Sequence, residues 1–254
     1  MRSTDRLLFI DFLLKFENKN GTVMPCCVDN FDCTFTHKGG KSMYEKERKE
    51  LYNAHLLLEK YGLVAYTSGN VSVRIGDHVL IKPSGVPYTE LKPEDFVVVD
   101  LEGNVIEGEK KPSVDTATHL YLYKHLDWAK SVIHTHSTFA MVWAILEKSI
   151  PVLCTAHADV FGEEIPLTEY APVGSEAIGK AVLKVIGKSG AVLLRKHGVM
   201  IVGTSVDDAV KKAIFLEEVA KAAYFATLAG EPTSLPPDEV DRLYNQYHTK
   251  YGQK

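Results

Sequence analysis

The chain has 254 residues, and its 45% hydrophobic and 24% charged residues are the proportions of an ordinary globular protein. At this length we expect one large domain whose core is big enough to need no disulfides. The formal net charge of -4 at pH 7, without a basic stripe, argues against a nucleic-acid-binding protein.

The first 42 residues differ from the rest of the chain. They show no sustained periodicity, and they contain three of the four cysteines without the paired spacing of a zinc finger. The apolar run at 6–15 lacks a cleavage site and is too short to cross a bilayer, so we interpret it as neither a targeting signal nor a membrane anchor. We predict an N-terminal extension at 1–42, a compact domain at 43–254 and a cytoplasmic location.

From residue 43 onward, helix and strand patterns alternate. We predict helices at 44–60, 115–125, 138–147, 175–186 and 205–228, the last one capped by Ser205. We predict strands at 71–75, 79–81, 96–100, 105–106, 131–134, 152–155, 191–194 and 199–202. This mixture, with several hairpin-like connections, predicts a three-layer α/β/α fold around a mainly antiparallel sheet.

Three histidines stand at the ends of predicted strands. His134 and His136 are two residues apart at the end of one strand, so both imidazoles can reach the same ion. His197 follows another apolar strand, and the neighbouring Gly198 permits a close approach of the backbone. Three histidines with one open coordination position are typical of catalytic Zn²⁺, with Mn²⁺ and Co²⁺ as substitutes. We expect the nearby His119 to be a packed or hydrogen-bonded helix residue. The histidines that we expect to be ordinary surface residues are His37, His55, His78, His125 and His248.

Three further segments have the character of an anion pocket. The segments are Ser68-Gly69-Asn70, Lys82-Pro83-Ser84-Gly85 and the predicted helix start at Ser113 and Asp115. Backbone amides, a lysine, hydroxyls and a helix N-terminus all favour a bound phosphate. Each segment taken alone is more often a turn or a cap, and Asp115 can equally be a simple N-cap.

The order of these motifs resembles the class II aldolase/adducin family, and within it the L-ribulose-5-phosphate 4-epimerase branch. The resemblance covers about residues 44–254. It depends on Ser68-Gly-Asn-Val-Ser72, Lys82-Pro-Ser-Gly85, Lys111-Pro-Ser-Val-Asp-Thr-Ala-Thr-His119, His134-Thr-His-Ser137, Thr155-Ala-His-Ala-Asp159, Lys196-His-Gly198 and Tyr251-Gly-Gln253.

The resemblance implies an α/β/α fold and a homotetramer with an active site at each subunit interface. It places the metal ligands at His134, His136 and His197, and the phosphate-binding residues at Gly69, Asn70, Lys82, Ser84, Gly85 and Ser113. Asp115 stands at the metal and catalytic position where the aldolases carry glutamate. Asp159 and Tyr251 match the acid/base pair that the neighbouring subunit supplies.

The activity that this resemblance implies is metal-dependent epimerisation of a small phosphorylated sugar at C4. A fuculose 1-phosphate-type aldolase and a methylthioribulose-phosphate dehydratase remain as alternatives within the family. Val114 and Ser68 depart from the epimerase pattern, whereas Asp115 departs from that of the aldolases. A non-catalytic adducin-like module is the alternative of another class, and the intact histidine set argues against it.

Overall fold

The structure is a computed structural model that describes residues 42–252. Its strands are β1 (Asn70–Ile75), β2 (His78–Ile81), β3 (Val97–Asp100), β4 (Val105–Glu107), β5 (Ser131–Thr135), β6 (Ala191–Leu194) and β7 (Gly198–Gly203). Its α-helices are α1 (Glu45–Lys60), α2 (Thr116–His125), α3 (Thr138–Leu146), α4 (Thr155–Phe161), α5 (Ala177–Val185), α6 (Val206–Ala229) and α7 (Pro237–Lys250). Apart from Ser42, the predicted extension lies outside the described residues.

The seven strands form one sheet in the order β4-β3-β2-β1-β5-β7-β6. Every neighbouring pair is antiparallel. The interior strand β5 lies between β1 and β7, and its His134 is opposite Asn70 on one side and Met200 on the other. This register places Asn70, in the predicted anion-binding segment, next to His134, a predicted metal ligand.

Helices cover both faces of the sheet. Side chains alternate between the faces along each strand, so that Ile133 of β5 joins one hydrophobic core and its neighbour Val132 joins the other. The first core is covered by α1, α3 and α6, and the second by α2 and α5. The predicted three-layer α/β/α fold is therefore confirmed.

Two local predictions have clear outcomes. The Ser205 cap is confirmed, since its hydroxyl accepts from the backbone N–H of Asp208 over 3.0 Å. The strand predicted at 152–155 is wrong, because Cys154 is the extended N-cap residue of α4, which starts at Thr155. A short apolar run satisfies strand and helix patterns equally well, and the helix here packs against α7.

No helix within residues 42–252 is long and apolar enough to span a membrane.

Candidate metal centre and anion pocket

The candidate metal centre lies at one end of strand β5. His134 is the fourth residue of that strand and is 2% exposed, whereas His136 follows the strand's last residue and is half-buried. The Nε2 atoms of the two rings lie 3.0 Å apart. The sequence prediction that both imidazoles share one site therefore agrees with their positions.

His134 is held by a backbone carbonyl of the neighbouring strand. Its Nδ1 atom lies 2.8 Å from the carbonyl oxygen of Val199 in β7. A carbonyl only accepts hydrogen bonds, so Nδ1 carries the proton and Nε2 keeps its lone pair toward His136. In metal sites, the second ring nitrogen of a ligand histidine usually donates to a carbonyl or carboxylate in this way.

His197 comes from the tight turn between β6 and β7. Lys196 in that turn has φ 58°, and the His197 N–H donates to the carbonyl of Leu194 over 3.0 Å. A Cβ atom at Gly198 would lie 2.5 Å from the carbonyl oxygen of Thr135 and 2.9 Å from the His136 ring. Only glycine allows this approach, which is what brings His197 to the end of β5.

The three histidines fit a divalent cation. One ring nitrogen from each of His134, His136 and His197 lies within 4.8 Å of the others. The Nδ1 atom of His197 is buried without a hydrogen-bond partner in the described part of the chain. Burial lowers the pKa of all three rings, to about 3 for His134, so they are neutral at pH 7 and able to donate lone pairs.

Asp115 faces this cluster and is not a simple helix cap. Its side chain makes no capping bond at the start of α2, and its Oδ2 atom accepts from the amide of Asn70 over 2.7 Å. Burial favours the neutral carboxyl, but the electrostatic interactions with the His134 and His119 rings and the hydrogen bond from Asn70 hold its pKa below the usual value. Asp115 is thus an ionised carboxylate beside the three imidazoles.

The cluster opens into a cavity of about 330 Å³ that contains the predicted phosphate residues. Its lining comprises Thr67, Ser68, Gly69, Asn70, Lys82, Pro83, Ser84, Gly85, Ser113, Val114, Asp115, His134, His136, Val173 and His197. All nine of the metal and phosphate residues, and Asp115 with them, therefore share one cavity. No sequence signal pointed to Val173, which is an apolar residue in an irregular segment.

Backbone hydrogen bonds tie the walls of this cavity to each other. Ser113 N–H donates to the carbonyl of Lys82 over 3.0 Å, and Ser84 N–H donates to that of Lys111 over 2.9 Å. The Lys82 ammonium donates to the carbonyls of Thr67 and Val86 at 3.2 and 2.9 Å. Burial lowers its pKa to about 8, so the ammonium keeps its charge at pH 7.

His119 is the packed histidine that the sequence predicted. It is fully buried in α2, and its Nδ1 atom lies 2.7 Å from the hydroxyl of Ser72 in β1. Burial lowers its pKa to about 4. Its Nε2 atom has no partner among residues 42–252.

Asp159 and Tyr251 lie outside the residues that line the cavity. Asp159 is in α4 and Tyr251 directly follows α7 as its C-cap residue, and these two helices pack against each other. Tyr251 is 69% exposed and stacks on Tyr247 with ring centroids 4.7 Å apart. Burial raises the pKa of Asp159, against the opposing charges of Arg242 and His248. The two predicted acid/base residues thus share one surface, apart from the cavity of their own chain.

Comparison with known proteins identifies the family of this chain. The model of the class II aldolase and adducin N-terminal domain matches residues 49–224. The chain belongs to the class II aldolase and adducin family. The chain is 39% identical over 230 residues to the L-ribulose-5-phosphate 4-epimerase UlaF of Salmonella paratyphi C, covering 83% of this chain and all of that protein. UlaF of Salmonella choleraesuis matches equally well.

Solved structures of this family have the same fold. An L-fuculose 1-phosphate aldolase superposes with a TM-score of 0.76 and 31% identity, covering 82% of this chain and 98% of that chain. The L-fuculose-1-phosphate aldolase of Thermus thermophilus has a TM-score of 0.64 and 27% identity, with coverage of 73% and 97%. With its intact histidine set, this class II aldolase family member is an enzyme of the sugar-phosphate epimerase and aldolase type.

Proposed function

We propose that the chain is a zinc-dependent epimerase that interconverts L-ribulose 5-phosphate and D-xylulose 5-phosphate, through a catalytic domain at 43–254. The observation that supports this proposal most strongly is that one cavity contains three neutral histidines, an ionised Asp115 and an anion pocket. The 39% identity to UlaF over that protein's whole length supports the choice of substrate.

In this proposal the anion pocket binds the phosphate group of the sugar. Ser84 and Ser113 have hydroxyl and backbone groups on its walls, and Lys82 adds a buried positive charge at pH 7. The overall charge of -4 gives no long-range attraction for a phosphorylated sugar. Binding therefore depends on these local donors and on the loops that hold them.

We assign the cation to His134, His136 and His197, with Asp115 beside them. Three neutral imidazoles that leave an open position suit Zn²⁺, and Mn²⁺ or Co²⁺ can occupy the same ligand set. When bound, such a cation polarises the sugar carbonyl and offsets the negative charge that develops on its oxygen. The protein's part is to keep the rings neutral and oriented, which the Val199 carbonyl does for His134.

Two proton-transfer groups complete the reaction. Deprotonation of the C4 hydroxyl breaks the C3–C4 bond and leaves two fragments, an aldehyde and the enediolate of a ketone. The enediolate then adds back to the other face of the aldehyde, which inverts C4. Asp159 and Tyr251 are the acid/base pair in this proposal, and their distance from their own cavity supports a supply from a neighbouring subunit. The oligomer that we propose is the homotetramer that the family resemblance implies, with an active site at each subunit interface.

The activity test uses the zinc-loaded protein with L-ribulose 5-phosphate, and NMR follows the products. Formation of D-xylulose 5-phosphate, abolished by a chelator and restored by zinc, is the expected result. Binding of zinc without any conversion would exclude the epimerase while leaving the metal site in place.

The shared-site arrangement has a test of its own. His136→Asn disables the metal half of a site, whereas Asp159→Asn disables the acid/base half. When the two inactive proteins are unfolded together and reassembled, mixed oligomers should regain roughly a quarter of the wild-type activity, since each site draws its halves independently. A mixture as inactive as its components would show that Asp159 does not act in the site of another subunit.

A class II sugar-phosphate aldolase is the second candidate. It is favoured by the 31% identity and the TM-score of 0.76 to an L-fuculose 1-phosphate aldolase. The same NMR experiment with L-fuculose 1-phosphate distinguishes them, because an aldolase releases two separate products. Asp115 stands where the aldolases of the family carry glutamate, which supports the epimerase over the aldolase.

A further inference from the structure

Two buried side chains lie behind the anion pocket without lining it. His55 in α1 is fully buried, and Tyr88 is 3% exposed in a short 3-10 turn. Both bond to the backbone of residues 67–71, which we call the cup segment. This segment forms one wall of the cavity and leads into β1.

Tyr88 holds the middle of the cup segment. Its hydroxyl donates to the carbonyls of Ser68 and Gly69 at 3.1 and 3.3 Å. Its own backbone N–H donates to the carbonyl of Tyr66 over 3.2 Å. Because its ring belongs to the main hydrophobic core, the hydroxyl is a fixed donor at this position.

His55 holds the end of the cup segment. Its Nε2 atom accepts from the backbone N–H of Val71 over 3.1 Å, and its Nδ1 atom lies 2.6 Å from the carbonyl of Leu51. The two partners fix a neutral ring with its proton on Nδ1. Burial lowers the pKa of His55 to about 3, so the ring accepts from Val71 across the whole working pH range.

The cup segment needs such support because its backbone is unusual. Gly69 has φ 74°, and a Cβ atom there would lie 2.5 Å from Val64 Cγ1 and 2.9 Å from the carbonyl oxygen of His134. Glycine adopts this conformation but also has the greatest freedom to leave it. The hydrogen bonds of Tyr88 before it and of His55 after it remove that freedom on both sides.

We infer that Tyr88 and His55 are positioning residues that preform the cup segment for a phosphate group. This inference rests on the proposed sugar-phosphate function, because it assigns the cup to the phosphate. A preformed cup binds phosphate more tightly than a mobile one, because the conformational entropy of the segment is already lost on folding and not on binding. The three ligand histidines come from other segments, and Tyr88 bonds the cup at Ser68 and Gly69. It does not bond Asn70, which contacts Asp115, so loss of the Tyr88 bonds should weaken phosphate binding and leave zinc binding intact.

The main test compares Tyr88→Phe with Tyr52→Phe. The first substitution removes only the hydroxyl, and the second removes one from a half-buried α1 tyrosine that packs on the same core outside the cavity lining. The probe is inorganic phosphate, whose affinity for the zinc-loaded protein is measured by titration calorimetry. Tyr88→Phe should weaken phosphate binding on the order of tenfold, because two carbonyls lose their donor. Tyr52→Phe should match the wild type, and zinc affinity should be equal in all three proteins.

A second pair of variants tests His55. His55→Gln keeps an amide acceptor near the position of Nε2, whereas His55→Asn places its amide near Nδ1 and leaves the Val71 N–H unpaired. Phosphate affinity should be closer to wild type in His55→Gln than in His55→Asn.

Several results would overturn the inference. They are an unchanged phosphate affinity in Tyr88→Phe, a parallel loss of zinc and phosphate, and a wild type that binds no phosphate. A wild type that binds phosphate but turns over no sugar phosphate would refute the proposed function while the positioning role stands. If turnover is present, Tyr88→Phe should raise KM for the sugar phosphate with little change in kcat.

Discussion

The side-chain amide of Asn70 donates to the Oδ2 atom of Asp115 over 2.7 Å, and this bond connects positions that are 45 residues apart in the chain. Asn70 begins β1, and Asp115 precedes the first residue of α2. The bond therefore fixes the carboxylate against the sheet end where His134 lies. It joins the anion pocket to the metal centre, in addition to the pairing of Asn70 with His134 across the two strands.

The first prediction concerns the charge of Asp115. Asp115→Asn should lower zinc affinity about 10–100-fold, because an ionised carboxylate next to the ligand histidines stabilises a bound cation. Competition with a chromophoric chelator near neutral pH measures the change. Asp127→Asn, which removes an exposed carboxylate two residues beyond α2, is the matched control. Equal zinc affinity in the wild type and Asp115→Asn would show that this carboxylate has no part in the metal centre.

The second prediction concerns the ligand set itself. His136→Asn should lose bound zinc and activity together, because two remaining histidines do not make a stable site for the ion. Metal analysis of the purified variant gives the zinc content. His125→Asn replaces an exposed histidine of α2 and should keep full zinc and activity. A His136→Asn variant that retains both zinc and turnover would refute the assignment.

Local patterns predicted much of the metal centre. The two-residue spacing of His134 and His136 and the glycine after His197 are local signals, and the close approach at Gly198 agrees with them. The role of Asp115 could not be predicted in this way, because an aspartate just before a helix fits both an N-cap and a site residue. The difference depends on the hydrogen bond from Asn70, which is distant in sequence. The expectation that His55 is an ordinary surface histidine is wrong, since its side chain is fully buried, and Tyr88 was not predicted at all. A buried residue that bonds to backbone has no sequence signature.

The fold was predicted where a short apolar run marks a fully buried strand, as along β5 and β7. It was not predicted at α4 and α7. The apolar run before α4 satisfies two patterns, and α7 has only Val240 as a buried residue. Helices of this kind gain their stability from packing on each other, which a local pattern does not contain.

The third prediction concerns Lys82 and the pH dependence of anion binding. Burial lowers the pKa of Lys82 to about 8, so its positive charge is present below that pH and is lost above it. Inorganic phosphate affinity of the zinc-loaded wild type should therefore fall between about pH 7 and about pH 9. Phosphate is already a dianion over most of this range. Lys82→Met should bind phosphate more weakly at the lower pH and show a flatter profile. Parallel profiles for the two proteins would exclude Lys82 as the titrating group.

The fourth prediction concerns stability in acid and follows from buried neutral histidines. The pKa is about 3 for His55 and about 4 for His119, both lowered by burial from 6.5 in the unfolded chain. Below pH 6.5 the unfolded state takes up protons that the folded state does not, so stability falls as pH falls toward 4. Each such histidine contributes a slope of up to about 1.4 kcal/mol per pH unit.

Urea unfolding of the metal-free protein between about pH 6.5 and about pH 5 measures this slope above the range where ordinary carboxyls titrate. The free energy of unfolding should change less steeply with pH in His119→Asn than in the wild type. The difference corresponds to the uptake of about one proton on unfolding, because the variant lacks one of the buried neutral rings. Its free energy of unfolding near pH 7 should be lower, since the Ser72 hydroxyl loses its 2.7 Å partner. Identical slopes would show that His119 takes up its proton in the folded state, and hence that the ring is not held neutral by burial.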